Sequence, residues 1–128
     1  MTIMTPCVQR AIWCGVDTHR DEHVAAIVDG IGSVLGTRSF AATSRGYFEL
    51  RMWLLEHGKV VLVGIEGTGA YGAGLQRDLH EHGIDTREID RPDRKRRRDQ
   101  GKSDPLDAVS AAKAALAAER IVEPKRRD

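Results

Sequence analysis

Along this chain the spacing of apolar residues changes from strand-length runs to helical stripes and back. Residues 11–17, AIWCGVD, form an apolar run closed by an acid, and after the polar stretch THRDE a similar run, HVAAIVD, occupies residues 23–29. Each predicts a strand, and the Gly-Ile-Gly at 30–32 turns the chain into a third, SVLGTRSF at 33–40. The first forty or so residues therefore predict an antiparallel meander. From Thr43 to Gly58 the period changes, because Tyr47, Leu50 and Leu54 share one helical face and Gly58 suits a C-terminal cap. VVLVGIE, residues 60–66, shows no alternation, which fits a strand covered on both faces. A second helical stripe, Tyr71, Leu75 and Leu79, ends near Gly83 and is followed by a short strand, IDTREI. The last helix opens in GKSDPLDA, residues 101–108, with Leu106, Val109, Ala112 and Leu116 on one face.

The predicted order is βββαβαβα. It implies an α/β fold: a mixed sheet with strands 1–3 antiparallel, later strands made parallel by αβα crossovers, and helices on both faces. Right-handed crossovers place the strand at 60–66 parallel to the first and beside it. Ligands of such sheets bind beyond the carboxyl ends of the strands, where the strand order reverses. Both strands end there in Gly-aliphatic-acid: Gly15-Val16-Asp17 and Gly64-Ile65-Glu66. Side chains alternate along a strand, so each glycine shares a face with its acid and is expected to clear space in front of it.

GKSDPLDA reads first as a helix start, with Asp104 as N-cap, Pro105 at the first helical position and Asp107 where a negative charge suits the helix dipole. Asp104 and Asp107, three apart, also share one side of that helix. If the helix packs across the ends of the two strands, they join Asp17 and Glu66. Two carboxylates about 4 Å apart at an effective dielectric near 20 repel by roughly 4 kcal/mol, well above the ~1 kcal/mol of a helix cap. Such a cluster calls for compensation, and Mg2+ or Mn2+, hard cations that take oxygen ligands, would supply it. Two such ions can clamp the attacking and leaving oxygens of a phosphodiester, so the acids point to phosphoryl transfer.

Length and charge narrow the picture. A chain of 128 residues is expected to form one domain, 11–119, with a flexible N-terminus at 1–10 and a basic tail at 120–128. The net charge of +1 hides a segregated pattern, because RPDRKRRR at 91–98 holds six basic residues in eight and KRR follows at 125–127. As a class, charge runs are solvated loops. Here the run precedes the acidic motif, so Arg91, Arg94, Lys95, Arg96, Arg97, Arg98 and Lys102 are candidate nucleic-acid contacts, to phosphates rather than bases. No apolar run is long enough to span a bilayer, and the start lacks a secretory pattern, so a cytoplasmic protein without membrane partners is expected. Cys7 and Cys14 form no CxxC pair and suit a surface thiol and a small core residue. His19 and His23 lack a third metal ligand nearby and read as surface or turn residues. Trp13, Tyr47, Phe48 and Trp53 read as core or interface.

GVDTHRD (15–21), GIEGTGAYG (64–72) and KSDPLDA (102–108) resemble, in this order, the motifs of the amino-terminal catalytic domain of IS110-type insertion-sequence transposases. The resemblance spans about residues 12 to 118 and implies an RNase H-like, RuvC-like DEDD domain. It implies that Asp17, Glu66, Asp104 and Asp107 are catalytic metal ligands and that Lys102 matches the family pattern. It implies metal-dependent DNA cleavage and strand transfer in transposition, with DNA as partner, homo-oligomers on DNA and, in some members, a structured guide RNA. Members continue into a helical domain with a serine nucleophile. That domain has no counterpart before Asp128, so a truncated form, inactive alone, is the expectation.

Two alternatives remain open from sequence. Gly67-Thr68-Gly69-Ala70-Tyr71-Gly72 satisfies GxGxxG between a strand and a helix, with Glu88 and Asp90 about twenty residues on, as in dinucleotide-binding folds. The domain could also be a non-catalytic remnant that still binds nucleic acid.

Overall fold

The computed structural model describes residues 9–90 and 105–125, with side chains of the last helix through Arg120. The expectations for Cys7, Arg91, Arg94, Lys95, Arg96, Arg97, Arg98, Lys102 and Asp104 lie outside the described residues. The elements follow the predicted order: β1 (Ala11–Thr18), β2 (Glu22–Val28), β3 (Val34–Ala41), α1 (Ser44–His57), β4 (Lys59–Glu66), α2 (Ala73–Glu81), β5 (Thr86–Glu88) and α3 (Pro105–Lys125). They build one five-stranded sheet in the order β3-β2-β1-β4-β5. β1 pairs antiparallel with β2 and parallel with β4, and β5 continues the parallel side. The meander and the parallel crossover are both as expected. So are the helices on both faces, with α1 and α2 on one side and α3 on the other.

The two faces of β1 are packed by different rules. Ile12, Cys14 and Val16 point into the larger core with Ala25, Ile27, Val63 and Ile65 of the sheet, Leu50 and Leu54 of α1, and Leu75 and Leu79 of α2. Each large aliphatic side chain buried there contributes roughly 1.5–3 kcal/mol. Trp13 faces the other way, packing with Val28 and Leu62 against Ala112, Ala115 and Leu116 of α3. Thr43 caps α1, its hydroxyl accepting from the Gly46 N–H at 3.1 Å, and Gly58 closes the helix by donating to the Leu54 carbonyl at 3.2 Å.

Two helical stripes differ from the expectation. In α3 the buried positions are Ala108, Ala111, Ala112, Ala115 and Leu116, whereas Leu106 is 61% exposed. Over Gly15 and Gly64 the helix lies so close to the sheet that alanines fit there, and only farther along does Leu116 pack against it. Before α2, Tyr71 lies in the turn and is 49% exposed, because the helix begins only at Ala73. Phe48, expected in a core or interface, is 46% exposed on α1, while Trp13 and Trp53 are buried. Cys14 is buried as expected.

Candidate functional site

The parallel register of the two central strands fixes the site. Gly15 pairs with Gly64, Val16 with Ile65 and Asp17 with Glu66. Neighbouring strands run about 4.8 Å apart, so the two acids stand side by side at the carboxyl ends of β1 and β4. Both are 1% exposed. Buried carboxylates are costly unless something favours their charge, so a pair of them at one strand end makes this a candidate site.

The third described acid arrives on α3. Ala108 packs with Val24 and Ala26, the stretch from Ala112 to Leu116 packs with Trp13, Val28 and Leu62, and Arg120 donates to the Gly30 carbonyl. The helix therefore runs antiparallel to β1, and its first turn lies at the end of the sheet that carries Asp17 and Glu66. Asp107, in that turn, is 6% exposed. Among the described residues no three His, Cys, Asp or Glu side chains are grouped closely enough to hold a metal ion. The structure thus pairs Asp17 with Glu66 and brings Asp107 to the same end, and Asp104 lies outside the described residues.

The glycines of the two Gly-aliphatic-acid motifs serve a different purpose from the one expected. A Cβ on Gly15 would run into the Ala112 nitrogen and the Ala108 carbonyl oxygen, and one on Gly64 would stand 2.9 Å from the Ala111 oxygen. The space they clear is filled by the backbone of α3. Gly15 and Gly64 seat the helix that carries Asp107, and so act on the site at one remove.

The loop after β4 is a tight turn, as expected of its glycines. Gly67 has φ of 82°, and its carbonyl accepts from the N–H groups of Ala70 at 3.0 Å and Gly72 at 2.9 Å. A Cβ at Gly67 would lie 2.5 Å from the Thr18 hydroxyl, which itself donates to the Glu66 carbonyl at 2.5 Å. Thr18 thus ties the ends of β1 and β4 together. Two of the amides that a dinucleotide loop would offer to a phosphate are engaged by the turn itself. Glu66, moreover, places a buried carboxylate at the start of this loop.

Of the two histidines read as surface or turn residues, His19 lies in the β1–β2 turn as expected and His23 does not. His19 Nε2 lies 3.0 Å from Asp17 Oδ2. His23, expected at the surface or in a turn, is 1% exposed, because it sits on β2 beneath α1 with its ring stacked on Tyr47. Burial pushes the His23 imidazole below its ordinary range, with the nearby His19 acting in the same direction.

A mixed 3-2-1-4-5 sheet with paired acids at the ends of its two central strands is an RNase H-like arrangement. The chain belongs to the DEDD transposases of the IS110 type: a family model described as Transposase matches residues 14–128. Comparison with curated proteins finds no match. Among solved structures, the crystal structure of the ethanolamine utilization protein EutJ from Carboxydothermus hydrogenoformans is similar over 66% of this chain and 37% of that one, at 12% identity and a TM-score of 0.36. The chain thus corresponds to little more than a third of that protein's length, and a likeness this distant has no bearing on function. Membership of the family displaces the dinucleotide-binding reading of residues 67–72.

Proposed function

We propose that the chain is the catalytic domain of a transposase that cleaves and transfers DNA strands with divalent metal, and that Asp17, Glu66, Asp104 and Asp107 hold the ion. The observation that carries this reading is the in-register pair of buried acids at the carboxyl ends of β1 and β4. The donor set fits the ion, since carboxylate oxygens are the hard ligands that Mg2+ or Mn2+ prefers. When bound, such an ion polarises the scissile phosphodiester and favours deprotonation of the attacking hydroxyl or water. Asp17 and Glu66, fixed by the strands, set the floor of the site. Asp107 approaches from α3, so the seating of that helix on Gly15 and Gly64 sets its reach. The basic residues at 91–98 and Lys102 would hold the DNA backbone, with DNA and, as in some members, a structured RNA as partners.

The test is thermal melting of the full chain with and without Mg2+ or Mn2+. The ion should raise the melting temperature of the wild type, and Asp17→Asn and Glu66→Gln should each lose most of that rise. A wild-type protein whose melting does not respond to either ion overturns the proposal.

A further inference from the structure

We infer that His19 is a positioning residue for the metal site, holding Asp17 in the rotation with which it meets the cation. The inference rests on the reading of Asp17 as a ligand and adds a residue to it. His19 Nε2 lies 3.0 Å from Asp17 Oδ2, and the two side chains are 26% and 2% exposed. A carboxylate that serves as a metal ligand only accepts, so in that role Asp17 would take its hydrogen bond from a proton on Nε2. A carboxylate fixed through one oxygen can no longer rotate freely about its last torsion, and outer hydrogen bonds of this type orient metal ligands.

The backbone of His19 is itself held. Its N–H points at the Glu22 carbonyl at 3.1 Å and at His23 Nδ1 at 3.4 Å. His23 is buried, and its ring lies parallel to Tyr47, 2° between planes and 6.0 Å between centroids. Burial favours the neutral ring of His23, and its Nε2 has no hydrogen-bond partner among the described residues. The stacking on Tyr47 and the contact with the turn hold the imidazole between α1 and the β1–β2 turn. A chain of contacts thus runs from the α1 layer through His23 to the β1–β2 turn, and through His19 to Asp17. It reaches the site from the face of the sheet opposite α3.

The experiment titrates Mn2+ into wild type, His19→Ala and His19→Gln, reading metal affinity by calorimetry and the melting temperature without metal. Gln places an amide nitrogen at the reach of Nε2 and keeps the donor. His19→Ala should bind Mn2+ about 10- to 100-fold more weakly, the usual cost of removing an outer-shell partner, with its metal-free melting little changed. His19→Gln should recover most of the affinity. If His19→Ala fails to fold, His19→Phe, which keeps the ring and lacks the donor, takes its place. Equal affinity in wild type and the donor-less variant overturns the inference, as does equal weakening in Ala and Gln. Absence of Mn2+ binding by the wild type is a different result, because it removes Asp17 as a ligand altogether.

Discussion

Gly15 and His23 show how single positions govern the site without touching substrate. At Gly15 any side chain meets the backbone of α3, whereas Gly69, in the loop after β4, has nothing within 4 Å of the place a Cβ would occupy. Overpacking costs about 1–3 kcal/mol, and contact with backbone belongs at the upper end, so Gly15→Ala should lose about 3 kcal/mol in urea unfolding. Gly69→Ala should stay within about 0.5 kcal/mol. Equal midpoints for the two variants would show that α3 is not seated on Gly15. His23 carries a pH dependence whose sign follows from burial. Its folded pKa is lowered from 6.5, so the unfolded chain binds the proton more readily, and stability is fully present above pH 6.5. It declines as pH falls from 6.5 to the lowered folded value. Melting followed from pH 7.5 downward should show this loss in the wild type and less of it in His23→Phe. At this scale the positions of Asp17 and Glu66 were legible, because each closes an apolar run and the crossover sets the two runs side by side. The purpose of the glycines was not, since a missing Cβ does not say what fills the space.

Elements were legible in order and type because each has a period of its own, and boundaries moved only by a few residues. β5, expected over 84–89, is limited to Thr86–Glu88, and α2 starts at Ala73 rather than near Tyr71. The face of α3 holds at Ala112 and Leu116, which are buried as expected, and differs at Leu106 for a physical reason. Reading a stripe by its largest apolar residues selects Leu106, but a helix laid on two glycines approaches so closely that only small residues fit between the backbones. Over the two glycines the buried stripe is therefore Ala108, Ala111, Ala112 and Ala115, and Leu116 is buried beyond them against Trp13 and Leu62. Ala112→Leu should lift the helix from β1 and lose about 2–3 kcal/mol. Because Asp107 rides on the same helix, the variant should also reduce the rise in melting temperature caused by Mn2+. A destabilised variant that keeps the full metal response would separate the seating of α3 from the site. The reach of α3 across the sheet also explains why Trp13 and Arg120, distant in sequence, meet near Gly30.

A net charge of +1 conceals one local concentration of charge in the sequence, six basic residues in the eight from Arg91 to Arg98. The acids gather at one end of the central strands, and the run from Arg91 to Arg98 lies in sequence between β5 and the helix that brings Asp107. No helix among the described residues is long and apolar enough to cross a membrane. A carboxylate cluster alone repels DNA, so the proposed activity would need cations on both sides of the phosphate: the metal at the scissile bond and basic side chains along the backbone. Those contributions are separable by salt. Each phosphate contact adds about 0.9 to the slope of log affinity against log salt on duplex DNA, so replacing Arg94, Arg96, Arg97 and Arg98 with Ala should flatten the slope by up to about 3–4. Fluorescence anisotropy of a labelled duplex across a salt series, with chelator present to remove the metal contribution, measures it. An unchanged slope would leave the basic run as solvated loop. Asp17→Asn under the same conditions should bind DNA at least as well as the wild type, because it removes a negative charge, and yet lose the metal response. That pair of results separates a catalytic domain from a binding-only remnant: a remnant keeps the salt slope of the basic run but has no metal response for Asp17→Asn to remove.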